Sequence, residues 1–188
     1  MTITTKNLIC EAFFQEISKE TSRSFSVREL AKKAHIARST IYYQFSSLND
    51  VCSYSLNTHF FDQLDSNQGF CEFVKQLSDF IDKNPIFCMN LFTIIDPTKQ
   101  HEFLFDKFYS YLLKRCSFVI TQNNKEQEFY KKEIRSLTEF LIFQVNLRLQ
   151  GNIDKHEFYD NVQQYFIITR NNIVREKQRY IISKNRRN

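Results

Sequence analysis

Glycine and proline are nearly absent: the 188-residue chain has two of each, and it has no tryptophan. Sheet-rich folds turn often and need such residues, so their scarcity argues against a sandwich or a barrel and for long helices with few breaks. With glycine only at Gly69 and Gly151, no P-loop, dinucleotide fingerprint or nucleophile elbow can be written anywhere in the chain. The four histidines, His35, His59, His101 and His156, show no HExxH or HxxxH spacing. Adjacent residues on a helix do not share a face, so His156 and Glu157 read as helix surface. The expectation is a protein that is not an enzyme and has no cofactor and no metal site. No run approaches the ~18 apolar residues of a membrane span. The opening segment MTITTKNLICEAFF lacks the charged leader and cleavage site of a signal peptide. Five cysteines (Cys10, Cys52, Cys71, Cys88, Cys116) form no CxxC pair, the pattern of reduced thiols in a cytoplasmic protein.

What the chain does have is charge of uneven placement. Residues 1–55 hold seven Lys/Arg against five Asp/Glu, residues 56–169 twelve against fifteen, and residues 170–188 seven against one. The head is mildly basic, the middle slightly acidic and the end strongly basic. A basic patch attracts nucleic acid or an anionic surface, although a solvated charge run has the same composition. Phenylalanine is abundant at 20 residues, which supplies core material for a helical body.

Apolar residues recur at helical spacing along most of the chain. The pattern predicts helices over residues 4–19, 27–34, 38–44, 48–66, 70–82, 86–95, 101–121, 126–150 and 154–180. Ser26, with Glu29 three residues on, has the spacing of a capping box. Gly69 is placed to stop the fourth helix, and Asn84-Pro85 and Asp96-Pro97 mark further breaks.

Residues 26–45 read SVRELAKKAHIARSTIYYQF. They describe two short helices joined by a tight turn. Small alanines allow the helices to pack closely, and Ile36 plugs the corner. The second helix of the pair has two faces. Ile41, Tyr42 and Phe45 are available to pack inward. Arg38, Ser39, Thr40, Tyr43 and Gln44 form an outward set of donors, hydroxyls and one positive charge. A helix fits the DNA major groove, where such side chains reach phosphates and base edges.

This stretch resembles the N-terminal signature of the TetR (tetracycline repressor) family of bacterial regulators, whose recognition helix ends in a Thr-hydrophobic-Tyr-Tyr-polar-Phe pattern. Here that ending is Thr40-Ile41-Tyr42-Tyr43-Gln44-Phe45, and the likeness covers about residues 5–55. The NPIF…IID segment within residues 84–96 is similar to the branch that includes regulators of dihydroxyacetone kinase. The pattern departs from the family at four positions: His35 stands where the turn commonly has Gly, Ala37 where a Ser or Thr cap is usual, Leu48 where a Lys often begins the fourth helix, and Thr21 where a Gly follows the first helix. A residue other than Gly at position 35 calls for a left-handed backbone, and Ala37 forgoes a cap worth about 1 kcal/mol.

The resemblance implies an all-α fold, with a helix-turn-helix DNA-binding head over residues 1–47 and a helical effector-binding and dimerisation body over 48–188. It implies that Ser26, Arg28, Arg38, Ser39, Thr40, Tyr42, Tyr43 and Gln44 meet DNA. Arg38 is the candidate for reading a guanine edge, and Tyr42 is part anchor and part phosphate contact. In the body it implies an apolar effector cavity, with Phe61, Phe92, Phe105, Phe108 and Tyr109 as candidate lining. It implies a homodimer built on the last two helices through Leu137, Leu141, Val145, Phe158, Val162, Tyr165, Phe166 and Thr169. The expected partners are a double-stranded DNA operator, a second copy and a small-molecule effector. The alternative is a regulator of the same fold controlled by a partner protein.

Overall fold

A computed structural model describes residues 4–20, 25–65, 68–115 and 124–185. Among these residues the chain forms nine α-helices and no strand, as an all-α fold requires. The helices are α1 (Thr5–Ile17), α2 (Val27–Lys33), α3 (Arg38–Gln44), α4 (Leu48–His59), α5 (Phe70–Lys83), α6 (Pro85–Ile94), α7 (Pro97–Arg115), α8 (Asn124–Leu149) and α9 (Lys155–Asn185), with a 3-10 turn at Phe61–Gln63. They divide into two compact units, Met1–Gln100 and His101–Asn188. Among the described residues no helix is long and apolar enough to cross a membrane.

Local chemistry sets most of the boundaries. The Thr4 hydroxyl accepts from the Asn7 N–H at the start of α1, and the Ser47 hydroxyl accepts from the Asp50 N–H at the start of α4. Such caps satisfy amides that a helix end leaves without an internal partner. Pro85 occupies the first turn of α6, where its missing N–H costs nothing. Gly151 takes a positive φ of 74° just past α8, and the Asn152 N–H folds back onto the Leu147 carbonyl. That left-handed residue closes the turn into α9.

Two expectations are corrected. The fourth helix ends at His59, not near residue 66, because Phe60 leaves the helix with φ −130° and ψ −68°. Its ring turns into the core, with centroids 5.0 Å from Phe80 and 6.2 Å from Phe73. Gly69 does not stop that helix; it stands in extended conformation as the residue that opens α5.

The first unit is organised around α1, which packs on α2, α3, α4 and α6. Its buried stripe is Ile9, Cys10, Phe13 and Ile17. These residues meet a core that includes Leu30, Ile41, Val51, Phe73, Phe87 and Leu91. Asn90 of α6 is fully buried, and its amide donates to the carbonyls of Ile17 and Glu20, both at 2.7 Å. One side chain thereby satisfies two carbonyls where α1 ends. The second unit pairs α8 with α9. Leu104, Phe108 and Leu112 of α7 are buried, together with Ile134, Leu137, Leu141 and Val145 of α8 and Phe158 and Val162 of α9. Phe140 and Tyr165 stack across the α8–α9 pair at 4.2 Å and 9° from parallel.

Candidate nucleic-acid interface

The head is held by contacts that leave one face of α3 uncovered. Ser26 and Glu29 form the capping box at the start of α2: the Ser26 hydroxyl accepts from the Glu29 N–H at 3.2 Å, and the Glu29 carboxylate accepts from the Ser26 N–H at 2.8 Å. The same carboxylate also accepts from the Ser26 hydroxyl at 2.7 Å. Lys33 of α2 reaches Glu16 of α1 at 2.7 Å, and Lys19 reaches it at 2.8 Å. Hydrogen bonds from Lys19 and then Lys33 hold the Glu16 carboxyl below its ordinary range.

Between α2 and α3 the chain turns at His35, which takes φ +53°. That is the left-handed region, where a side chain is normally disfavoured. Ala37 follows as the residue before α3 and makes no side-chain cap. His35 thus takes the left-handed backbone of the turn in spite of its side chain, and Ala37 leaves the start of α3 without a side-chain cap. Position 21 lies outside the described residues.

Ile41 and Phe45 anchor α3 in the core. Phe45 meets the Tyr54 ring of α4 edge-on at 5.6 Å. Tyr42 does not join them. It is 58% exposed, which corrects its expected inward packing, and Tyr43 is 86% exposed. Arg28, Arg38, Ser39 and Ser26 are exposed as well, and Thr40 and Gln44 are half-buried. Arg38 and Ser39 from the first turn and Tyr42 and Tyr43 from the second thus stand clear of the core that Ile41 and Phe45 enter. A two-turn helix fixed by its apolar side, with hydroxyls, an amide and a guanidinium facing out, has the donor set that phosphates and base edges accept.

Residues 10–51 match the family model of bacterial regulatory proteins, tetR family. The matched span runs from α1 to the first turn of α4 and encloses the helix-turn-helix. The chain therefore carries a tetR-type DNA-binding head followed by a helical body, the architecture of a transcriptional regulator. No curated protein matches the chain.

Lys6, which the sequence reading passed over, lies beside the tetR-type helix-turn-helix. Its ammonium sits 5.5 Å from the centre of the Phe45 ring and 6.0 Å from that of Tyr54. It lines a groove of about 280 Å³ with Gln44, Phe45, Ser46, Asp50, Ser53, Tyr54 and Asn57. A single lysine near the start of a helix has no distinguishing sequence signal; only the fold brings it to the end of α3.

The candidate effector residues fall in both units. In the first, Phe61 packs edge-on against Phe60 at 5.0 Å, and Phe92 is half-buried. In the second, Phe108 is buried, while Phe105 and Tyr109 are half-buried and stack at 5.1 Å. Arg135 lies over both of these rings, at 4.8 and 5.7 Å. Of the candidate interface residues, Leu137, Leu141, Val145, Phe158, Val162 and Thr169 are already buried within a single chain. Tyr165 and Phe166 are half-buried. Among the described residues the large apolar side chains left exposed on α8 and α9 are Phe143, Ile167, Ile168, Val174 and Ile182.

Burial pushes the Cys52 and Cys88 thiols up to about 12 and raises Cys10 as well. Such thiols do not ionise near neutrality and have little nucleophilicity. Cys71 is exposed, and Cys116 lies outside the described residues. Among the described residues no cluster of His, Cys, Asp and Glu is arranged to hold a metal ion.

Proposed function

We propose that the protein is a cytoplasmic, homodimeric transcriptional repressor that leaves a near-palindromic operator when a small apolar or amphipathic effector binds its body. The observation that carries the reading is the two-faced α3, anchored by Ile41 and Phe45 and presenting Arg38, Ser39, Tyr42 and Tyr43 to solvent. In this reading residues 1–47 act as the DNA-binding head and residues 48–188 as the effector and dimer body. Two copies place their α3 helices in successive major grooves about 34 Å apart. Arg38 pairs with a guanine edge, while Thr40, Tyr42, Tyr43 and Gln44 fix the register on backbone and bases. Ser26 reaches a phosphate only if its hydroxyl hydrogen turns from Glu29.

The second copy docks on α8 and α9. The exposed residues Phe143, Ile168 and Val174 suit this role better than the buried stripe, because a side chain already inside one chain has no surface to offer another. The effector works only through its different affinity for the two head spacings. Within the second unit Phe105, Phe108 and Tyr109 are the candidate contacts for such a molecule, and within the first Phe61 and Phe92 are.

The test is binding of the purified protein to DNA upstream of its own gene across a salt series. A footprint over a palindrome, with affinity falling as salt rises, is the expected result. Arg38→Ala and Tyr43→Ala should each weaken specific binding by about tenfold or more. Operator affinity unchanged in both variants would remove α3 from the recognition role.

A further inference from the structure

Lys6 is exposed at the second position of α1, yet it is not placed like an ordinary surface lysine. Its ammonium lies over two rings, Phe45 just past α3 and Tyr54 on α4. A cation over aromatic faces is attracted by their quadrupoles, which narrows the range of positions its ammonium visits. The backbone beneath it is fixed too: the neighbouring Asn7 side chain accepts a 2.8 Å hydrogen bond from the Tyr54 hydroxyl. Among the described residues lining the groove where α3 ends, Lys6 is the single cation. The other polar groups there include the Gln44 amide and the Ser46 and Ser53 hydroxyls. The single acid is Asp50, and its carboxylate is turned to the Ser46 N–H at 3.0 Å.

We propose that Lys6 and this groove clamp one backbone phosphodiester of the DNA beside the segment that α3 reads. The inference rests on the DNA-binding reading of α3 and adds to it a residue from a different helix. A phosphodiester is held by a cation and neutral donors, and the groove is lined by both. It is continuous with α3 through Gln44, the last residue of that helix. A phosphate bound there sets how far α3 slides along the duplex. It carries no base information, so the contact serves any sequence equally.

The experiment uses the full chain and two labelled duplexes of equal length, one from the DNA upstream of its own gene and one scrambled. Binding is measured over a salt series for the wild type, Lys6→Gln, Lys6→Arg and Lys19→Gln. Releasing counterions from one phosphate contributes a slope of about −0.9 in log affinity against log salt. Lys6→Gln should reduce the slope by about one unit per subunit and weaken binding of both duplexes by about tenfold per subunit near 0.1 M salt. Lys6→Arg should restore the slope. Lys19→Gln removes a lysine already paired with Glu16 and should leave it unchanged. A wild-type slope in Lys6→Gln would overturn the proposal while leaving α3 as the reader. Weaker binding with an unaltered slope and a lowered melting temperature would show that Lys6 only supports the packing of Phe45 and Tyr54, and would overturn it equally. If the wild type binds neither duplex, the DNA-binding reading falls and the proposal falls with it.

Discussion

His59 lies face to face on Phe14, with ring centroids 3.8 Å apart and the planes 21° from parallel. The stack joins the last residue of α4 to the last turn of α1. The His59 Nε2 also faces the Cys10 sulfur at 3.7 Å and a Glu11 carboxylate oxygen at 3.6 Å. Burial holds the imidazole below its ordinary value of 6.5, while the Glu11 charge acts in the opposite direction.

The sign of the pH effect follows from that depression. Well above pH 6.5 neither the folded nor the unfolded chain carries the proton. Below it the unfolded chain takes up the proton first, so stability falls as pH drops, then levels once the folded imidazole titrates. The wild-type melting temperature should therefore decline between about pH 7 and pH 5 more steeply than that of His59→Gln. Parallel curves for the two proteins would place the pH dependence elsewhere.

The Asn90 amide offers a sharper test of packing. Asn90→Ala leaves the carbonyls of Ile17, in a buried setting, and Glu20, in a partly buried one, without this donor. The loss should be about 2 kcal/mol or more, read from urea unfolding. Asn90→Asp should cost more, because it turns a carboxylate toward two carbonyl oxygens. A silent Asn90→Ala would mean that the end of α1 is held by other contacts.

Two substitutions should stabilise the head. His35→Gly removes a side chain from a backbone at φ +53°, and Ala37→Ser adds the cap that α3 lacks. Each should raise the unfolding free energy by about 1 kcal/mol. If His35→Gly lowers the denaturation midpoint instead, the imidazole makes contacts there that outweigh the backbone strain.

Self-association separates exposed from buried apolar residues. Phe143→Glu and Ile168→Glu should weaken the dimer by about tenfold or more while helical content stays the same, as read by light scattering and circular dichroism. Leu141→Glu puts a charge into the monomer core and should unfold the second unit instead. A dimer that survives both exposed substitutions would place the interface on another face.

The legible parts of the fold are those governed by local chemistry. The residue types around the turn place α3 at Arg38–Gln44, as found, and Ser26 with Glu29 marks the start of α2. Spacing misleads where tertiary contacts override it. Leu56, Phe60, Phe61 and Leu64 recur as a helical stripe, yet Phe60 gives up the helix to reach Phe73 and Phe80. Tyr42 follows Ile41 directly, and that one step round α3 carries it out of the core. Periodicity along α8 and α9 finds apolar stripes but does not say which one a single chain consumes internally. Lys6 was invisible for a related reason: its neighbours on the groove are 38 or more positions away in sequence.

The early end of α4 changes the mechanical gearing open to the head. At 12 residues it is a rod of about 18 Å, against about 28 Å had it run to residue 66. A tilt of about 5° then swings one end by roughly 1.6 Å instead of 2.5 Å, taking arc length as rod length times angle. A short lever needs a larger tilt for the same stroke. In return a short rod bends less, and the His59 end of this one is packed face to face on Phe14.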